Sequence, residues 1–371
     1  MNIVYWCPYL TNVATIRSVL NSYNSLKKSE FVPFIINSCG EWQFYDKNYK
    51  LINFLSNFNL HKYLPKEGFL KSRISFIIIS IISILPLLIF LKKKKPKFLV
   101  IHLLTSLPLI INSLFKIETK VILRISGLPR LSFFRKCLWK WAGKKVYAIT
   151  VPTEETYLNL KNENIFDEKK LHLLRDPVID PSRIEKNIHI NDNFLNKKFL
   201  LSVGRLTKQK NHSFLIKNFF KIEKDHKDLE LIILGEGEMR KKLENIINKC
   251  NLNNKVHLLG FQNPEPYYKN AYCFISCSLW EDPGFAMIEA AYFNCSIISS
   301  DCKSGPKEFI SDDKAGFLFK NNNDNNFVEQ FQKFYNSTKE EVFKKKILAK
   351  KKAKLFSKFN HKKKLIELLD Y

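Results

Sequence analysis

The sequence predicts an α/β protein of two domains, each built on a parallel sheet. Three observations carry that reading. Short apolar runs of four to six residues alternate with helix-length stretches of polar periodicity, the pattern of βαβ units. A basic or small residue follows several of these runs: Gly204, Arg205 and Lys210 after Phe199 to Val203, Gly235 and Gly237 after Glu230 to Leu234, and Glu281 and Gly284 after Cys273 to Ser278. Finally, 371 residues with an apolar fraction of 45% exceed one ordinary domain and suffice for two cores.

In the N-terminal half the pattern reads as strand 2–6, helix 13–28, strand 31–36, an apolar helix 74–91, strand 97–102 and a helix from 106. It continues as strand 120–125, helix 131–142, strand 146–150, helix 153–164 and strand 171–175. The N-terminal domain is expected over 1–180. The polar stretch 181–198, with Pro181 and several Asn, reads as a linker. A second α/β domain is expected over 199–350. The tail 351–371 carries Leu355, Phe356, Phe359, Leu365, Ile366 and Leu369 at helical spacing, which predicts a C-terminal helix packing back on the N-terminal domain.

A net charge of +26 asks for a polyanionic neighbour: nucleic acid, an anionic membrane surface or phosphorylated substrates. The excess is concentrated at Lys92 to Lys95 and over Lys339 to Lys364. No nucleic-acid-binding module is present and the lysines are not interleaved with aromatics on one face, so no nucleic-acid partner is expected. Eight cysteines occur without a CxxC pair or zinc spacing, which predicts reduced, buried thiols in a cytoplasmic protein. The chain opens on a strand with no charged leader, so no secretory signal is read.

Ile74 to Leu91 is an uncharged run of eighteen residues flanked by Lys71, Arg73 and four lysines. That length is the lower limit for a span. The strands on either side need each other in one sheet, and basic residues at both ends give no orientation signal. A helix part core and part sunk in the cytoplasmic leaflet, with its lysines on lipid phosphates, is the favoured reading. A wholly buried helix and a true span are the alternatives.

In a parallel sheet, ligands sit outside the carboxyl edge of the strands, where helix N-termini and backbone N–H groups can hold a diphosphate. Arg205 offers a planar fork of donors and Lys210 a point charge, a combination suited to a diphosphate whose charge grows as a bond to it breaks. Asp282 and Pro283 suit an N-cap and first helical position, so a helix is expected to start there with Glu281 just outside it. Glu289 would then lie about two turns in, roughly 9 to 12 Å along the axis. Gly235 and Gly237 permit close approach to a ligand, with Glu236 between them; a plain strand-to-helix turn is the alternative.

These residues resemble the donor-binding domain of family 4 glycosyltransferases, retaining enzymes of the GT-B fold. The motifs are Gly204-Arg205-Leu206 with Lys210-Asn211, Leu234-Gly235-Glu236-Gly237, Gly260-Phe261, the Glu281 and Glu289 pair, and Asp301 to Glu308. The resemblance implies two Rossmann-like parallel-sheet domains facing each other across a cleft. It implies Arg205, Lys210 and Glu281 as catalytic residues, with Glu281 on sugar hydroxyls. Donor binding would fall to Gly204, Gly235, Glu236, Gly237, Gly284, Phe285, Glu289 on the ribose, and Ser304. On the acceptor side, His102 ends one predicted strand and could face the cleft, and Arg124 and Ser126 follow the next, although the family often carries His where Ser126 stands, and a lone histidine such as His102 is more often a satisfied core residue. Many members have Gly and an aromatic after the first Glu, where this chain has Asp282 and Pro283.

The implied reaction moves a hexose or N-acetylhexosamine from a UDP- or GDP-sugar to a lipid-linked or oligosaccharide acceptor, by front-face chemistry in which the leaving phosphate takes the acceptor proton. The enzyme would be peripheral on the cytoplasmic face of an anionic membrane. No cofactor beyond the nucleotide sugar is expected. No metal-binding Asp-x-Asp stands beside the proposed donor site, and Arg205 and Lys210 supply the positive charge. The rival readings are a nucleotide-sugar epimerase or phosphorylase of the same fold and a non-enzymatic basic membrane or nucleic-acid adaptor.

Overall fold

The computed structural model describes residues 2–370 apart from 12, 28, 56–57, 67–68, 128, 130, 184–189, 191 and 195, so the predicted linker at 181–198 lies partly outside the described residues. Two compact units result, one formed by residues 1–177 with 361–371 and the other by residues 178–360.

The first unit runs β1 (Asn2–Trp6), α1 (Ala14–Leu26), β2 (Val32–Asn37), β3 (Leu51–Asn53), α2 (Phe69–Lys94), β4 (Phe98–Ile101), α3 (Ser106–Leu114), β5 (Lys120–Arg124), α4 (Phe133–Gly143), β6 (Ala148–Val151), α5 (Glu154–Asn162) and β7 (Leu171–Leu173). Its seven strands are all parallel in the order β3-β2-β1-β4-β5-β6-β7. Strand residues alternate between two cores, as a pleat covered on both faces requires. Val4, Trp6, Leu99 and Leu123 pack under α2 to α5, whereas Ile3, Tyr5, Val100 and Ile122 pack under α1.

The second unit runs β8 (Lys198–Val203), α6 (His212–Glu223), β9 (Leu229–Leu234), α7 (Arg240–Lys249), β10 (Val256–Leu258), α8 (Glu265–Asn270), β11 (Cys273–Ser276), α9 (Phe285–Tyr292), β12 (Ile297–Ser300), α10 (Pro306–Ile310), β13 (Phe317–Phe319), α11 (Asp324–Asn336) and α12 (Lys339–Lys354). Its six strands are parallel in the order β10-β9-β8-β11-β12-β13. Here α6, α7 and α11 cover one face, and α8, α9, α10 and α12 the other. The last helix, α13 (Lys358–Leu369), places Leu365, Leu368 and Leu369 in the α1 core of the first unit.

In each sheet the chain order reverses once, between β1 and β4 and between β8 and β11. A crevice opens at such a switch point because the flanking loops leave in opposite directions.

The apolar helix is longer than its uncharged run, reaching Phe69–Lys94 with Pro86 inside, and by length and composition alone it could cross a membrane. One face is core: Ser75, Ile79, Ser83, Leu87 and Leu91 are buried at every fourth position. The other face is exposed and equally apolar, with Ile74, Ile77, Ile81, Ile84 and Leu85. All eight cysteines are free; six are buried, Cys250 is partly buried and Cys137 is exposed, so the expectation of buried thiols is corrected at Cys137, which stands on α4.

Candidate functional site

Loops leaving β8, β9 and β10 are tied together by main-chain bonds at the carboxyl edge of the second sheet. Gly204 N donates to Leu234 O at 2.9 Å, Leu206 N to Glu236 O at 2.9 Å, and Gly235 N to Gly260 O at 2.7 Å. Gly235 sits at φ +139°, where a Cβ would stand 2.0 Å from Gly204 O. Glycine is therefore a steric requirement at this junction. Gly235→Ala is expected to cost more than about 1 kcal/mol and to displace the Arg205 loop, lowering both the denaturant midpoint and nucleotide affinity. Wild-type values of both would contradict the contact.

The β8 loop also docks on the loop leaving β11, across the switch point. Leu279 N donates to Gln209 O at 2.8 Å, and Gln209 Nε2 donates to Trp280 O at 2.8 Å. This clamp brings Lys210 against Glu281 in a largely buried ion pair. Ser278 Oγ donates to the same carboxylate oxygen, Oε1, at 2.7 Å, while Ser300 Oγ fixes Ser278 by donating to its carbonyl at 2.6 Å. The stem of Lys210 lies over Gly204, where a Cβ would be 3.0 Å from Lys210 Cε. Behind it, burial and the Lys210 charge push His212 down to about 3, so its ring is neutral. Arg205 is exposed and makes no ion pair among the described residues.

The expected helix start is corrected. Asp282 and Pro283 are not its cap and first residue; α9 begins at Phe285, with Gly284 as N-cap at φ 92° and no side-chain cap. A left-handed turn at Gly284 moves the entry two residues on, because only glycine adopts it without strain. Glu289 is consequently one turn into α9, roughly 6 Å from its first residue. It is buried, and Tyr268 OH donates to its Oε2 at 3.1 Å. Phe285 is half-buried against the α9 core. Ser304 is fully buried, and a Cβ at the adjacent Gly305 would stand 2.2 Å from Pro283 O, so the β12 loop supports the turn. Glu236 faces another neighbour: Arg240 Nη1 donates to it at 2.6 Å, and it borders Gly260 rather than Glu281.

The structure therefore joins Gly204, Lys210, Glu281 and Gly284 directly, with Arg205 in the same loop as Lys210. Ser278, Gln209 and Tyr268 escaped the sequence reading. Ser278 stood three residues before Glu281, which is a usable signal; the Tyr268 contact crosses between helices and left none.

On the first sheet's carboxyl edge the acceptor-side candidates separate. His102 is buried, with no partner for Nδ1 among the described residues, and burial beside Arg124 and His361 depresses its pKa strongly. Arg124 is held inside the unit: it is buried, with Nη1 donating to Leu174 O at 2.5 Å and Nη2 2.8 Å from Asp176 Oδ1. Ser126 is exposed.

Two parallel sheets with matching switch points define the GT-B class, and known proteins share it. The structure of HepE of Anabaena in complex with UDP superposes with a TM-score of 0.75 over 100% of both chains, at 13% identity. Residues 183–352 match the model of the family described as glycosyl transferases group 1. An uncharacterized glycosyltransferase of Methanocaldococcus jannaschii is 35% identical over 224 residues, 54% of this chain and 53% of the relative, so the match spans about half that relative's length. The N-acetylgalactosamine-N,N'-diacetylbacillosaminyl-diphospho-undecaprenol 4-alpha-N-acetylgalactosaminyltransferase of Campylobacter jejuni is 31% identical over 256 residues, 66% of this chain and 68% of that protein. The chain belongs to the glycosyl transferases group 1.

Proposed function

We propose that the protein is a retaining glycosyltransferase that moves a hexose or N-acetylhexosamine from a UDP- or GDP-sugar to a lipid-linked or other glycan acceptor in surface polysaccharide assembly. The observation that carries this reading is the Lys210 and Glu281 pair, seated beside Arg205 at the switch point of the second sheet. Arg205 and Lys210 offset the charge that grows on the departing diphosphate. Lys210 and Ser278 both engage Oε1 of Glu281, and among the described residues Oε2 is left to accept from a sugar hydroxyl. Glu289, steadied by Tyr268, takes the ribose. The leaving phosphate accepts the acceptor's proton, so no enzymic base is required. The HepE complex with UDP and the undecaprenol-linked substrate in the Campylobacter relative's name support the donor and acceptor classes.

A ligand panel tests this. UDP, GDP and their sugars are added to the protein and its melting midpoint recorded; one nucleotide series should stabilise it by about 2.7 kcal/mol at a hundred times its Kd. Absence of any shift across the panel would remove the donor reading.

The reading includes a peripheral position on an anionic cytoplasmic leaflet. The exposed stripe of α2, opposite its buried face and flanked by Lys71, Arg73 and Lys92 to Lys95, supports it, as do the exposed Leu114 of α3 and Phe133 and Phe134 of α4 in the same helix layer.

A further inference from the structure

The lysine-rich helix α12 is not uniformly solvated; its cations divide by face. Ala349 and Ala353 are buried against α9, and their small size lets the helices approach closely. Two lysines on this inward side are committed to the domain's own carbonyls. Lys345 Nζ donates to Asp313 O and Gly316 O, and Lys352 Nζ donates to Phe309 O at 2.7 Å and Glu308 O at 3.3 Å, capping the end of α10. These contacts fix the helix's rotation, so what faces outward is determined.

At 3.6 residues per turn the outward arc, about 120° wide, holds Phe343, Ile347, Lys351, Lys354 and Leu355, while Lys350 at its edge turns inward over the Tyr292 ring of α9 at 5.7 Å. Phe343 is 62%, Ile347 53% and Leu355 46% exposed. Lys351 and Lys354 make no ion pair among the described residues. Glu340, in the first turn, is matched by Lys344 at 2.7 Å, so no carboxylate on this face is left to oppose an anion. Large apolar side chains set among unpaired lysines fit a surface that is anionic at its boundary and apolar beneath, which is an acidic lipid bilayer. A nucleic acid would satisfy the lysines and leave Phe343 and Ile347 without a purpose.

From this arc we infer that α12 is a bilayer contact of the second unit, separate from α2. Phe343 and Ile347 enter the headgroup region and Lys351 and Lys354 hold lipid phosphates. The inference does not depend on the transferase reading.

Vesicle co-sedimentation without nucleotide tests it, in a background carrying Ile77→Ser and Ile81→Ser to weaken the α2 contribution. The background protein should still bind phosphatidylcholine vesicles containing phosphatidylglycerol, and bind pure phosphatidylcholine far less. Adding Lys351→Glu with Lys354→Glu should lower the remaining binding by about ten-fold or more, and Phe343→Ser with Ile347→Ser by a similar factor. All four side chains are exposed, so unchanged melting midpoints will show the variants folded, and turnover of a soluble nucleotide sugar should be untouched. Binding equal to the background for both pairs overturns the inference. So does a loss confined to the lysine pair accompanied by competition from an oligonucleotide, which would assign the arc to a polyanion instead of a bilayer. Loss of donor turnover in wild-type protein would count against the transferase alone.

Discussion

Arg205→Ala and Lys210→Ala are each expected to reduce sugar transfer by about a hundred- to a thousand-fold, the usual effect of removing one group that stabilises developing charge. Their effects on stability should differ. Arg205 is exposed and makes no ion pair among the described residues, so its loss should shift unfolding by no more than about 0.5 kcal/mol. Lys210 faces Glu281 in a pair whose side chains are 19% and 10% exposed. Its removal leaves a mostly buried carboxylate with, among the described residues, only the Ser278 hydroxyl, at a cost of about 3 kcal/mol. Neutralising the orphan in a Lys210→Ala, Glu281→Gln double variant should restore much of that stability and none of the transfer. Turnover close to wild type in either single variant would show that these cations do not meet the diphosphate.

This contrast between neighbouring residues also marks what the sequence could disclose. The parallel sheets were legible because buried strands read as continuous apolar runs: β1 was expected at 2–6 and stands there, and β5 was expected at 120–125 and spans Lys120–Arg124. β3 was missed, since Leu51–Asn53 is a three-residue edge strand too short to show a period. Cations following an apolar run placed Arg205 and Lys210 on the sheet edge, yet nothing local foretold that Lys210 would engage Glu281, a residue 71 positions away. Asp282 and Pro283 carried a plausible helix start that the left-handed Gly284 overrode, and the fate of Arg124 depended on a carboxylate 52 positions later (176 − 124). Local propensity is written in adjacent residues; pairing of side chains at long range is decided only when the sheet closes.

Arg124 provides the second large effect, and its sign separates two roles. As an acceptor contact, its loss would raise the acceptor KM and leave melting unchanged. The geometry predicts the reverse. The guanidinium binds Leu174 O and Asp176, and Asp176 Oδ1 also accepts from Ser18 Oγ at 2.5 Å, while Asn21 Nδ2 donates to Pro177 O at 2.7 Å. Residues 174–177, which lead out of β7, are thereby pinned to β5 and α1. Both charged side chains are nearly inaccessible, at 2% and 6%. Arg124→Met strands Asp176 in the interior and should cost about 3 to 5 kcal/mol, against near-neutral behaviour for an Arg124→Met, Asp176→Leu pair that removes both charges. For a unit of this size the single variant should melt about 10 °C lower. Calorimetry on the two variants decides the matter: an unshifted single variant with a raised acceptor KM would return Arg124 to the binding site, whereas recovery in the double variant confirms that the ion pair exists to hold the chain.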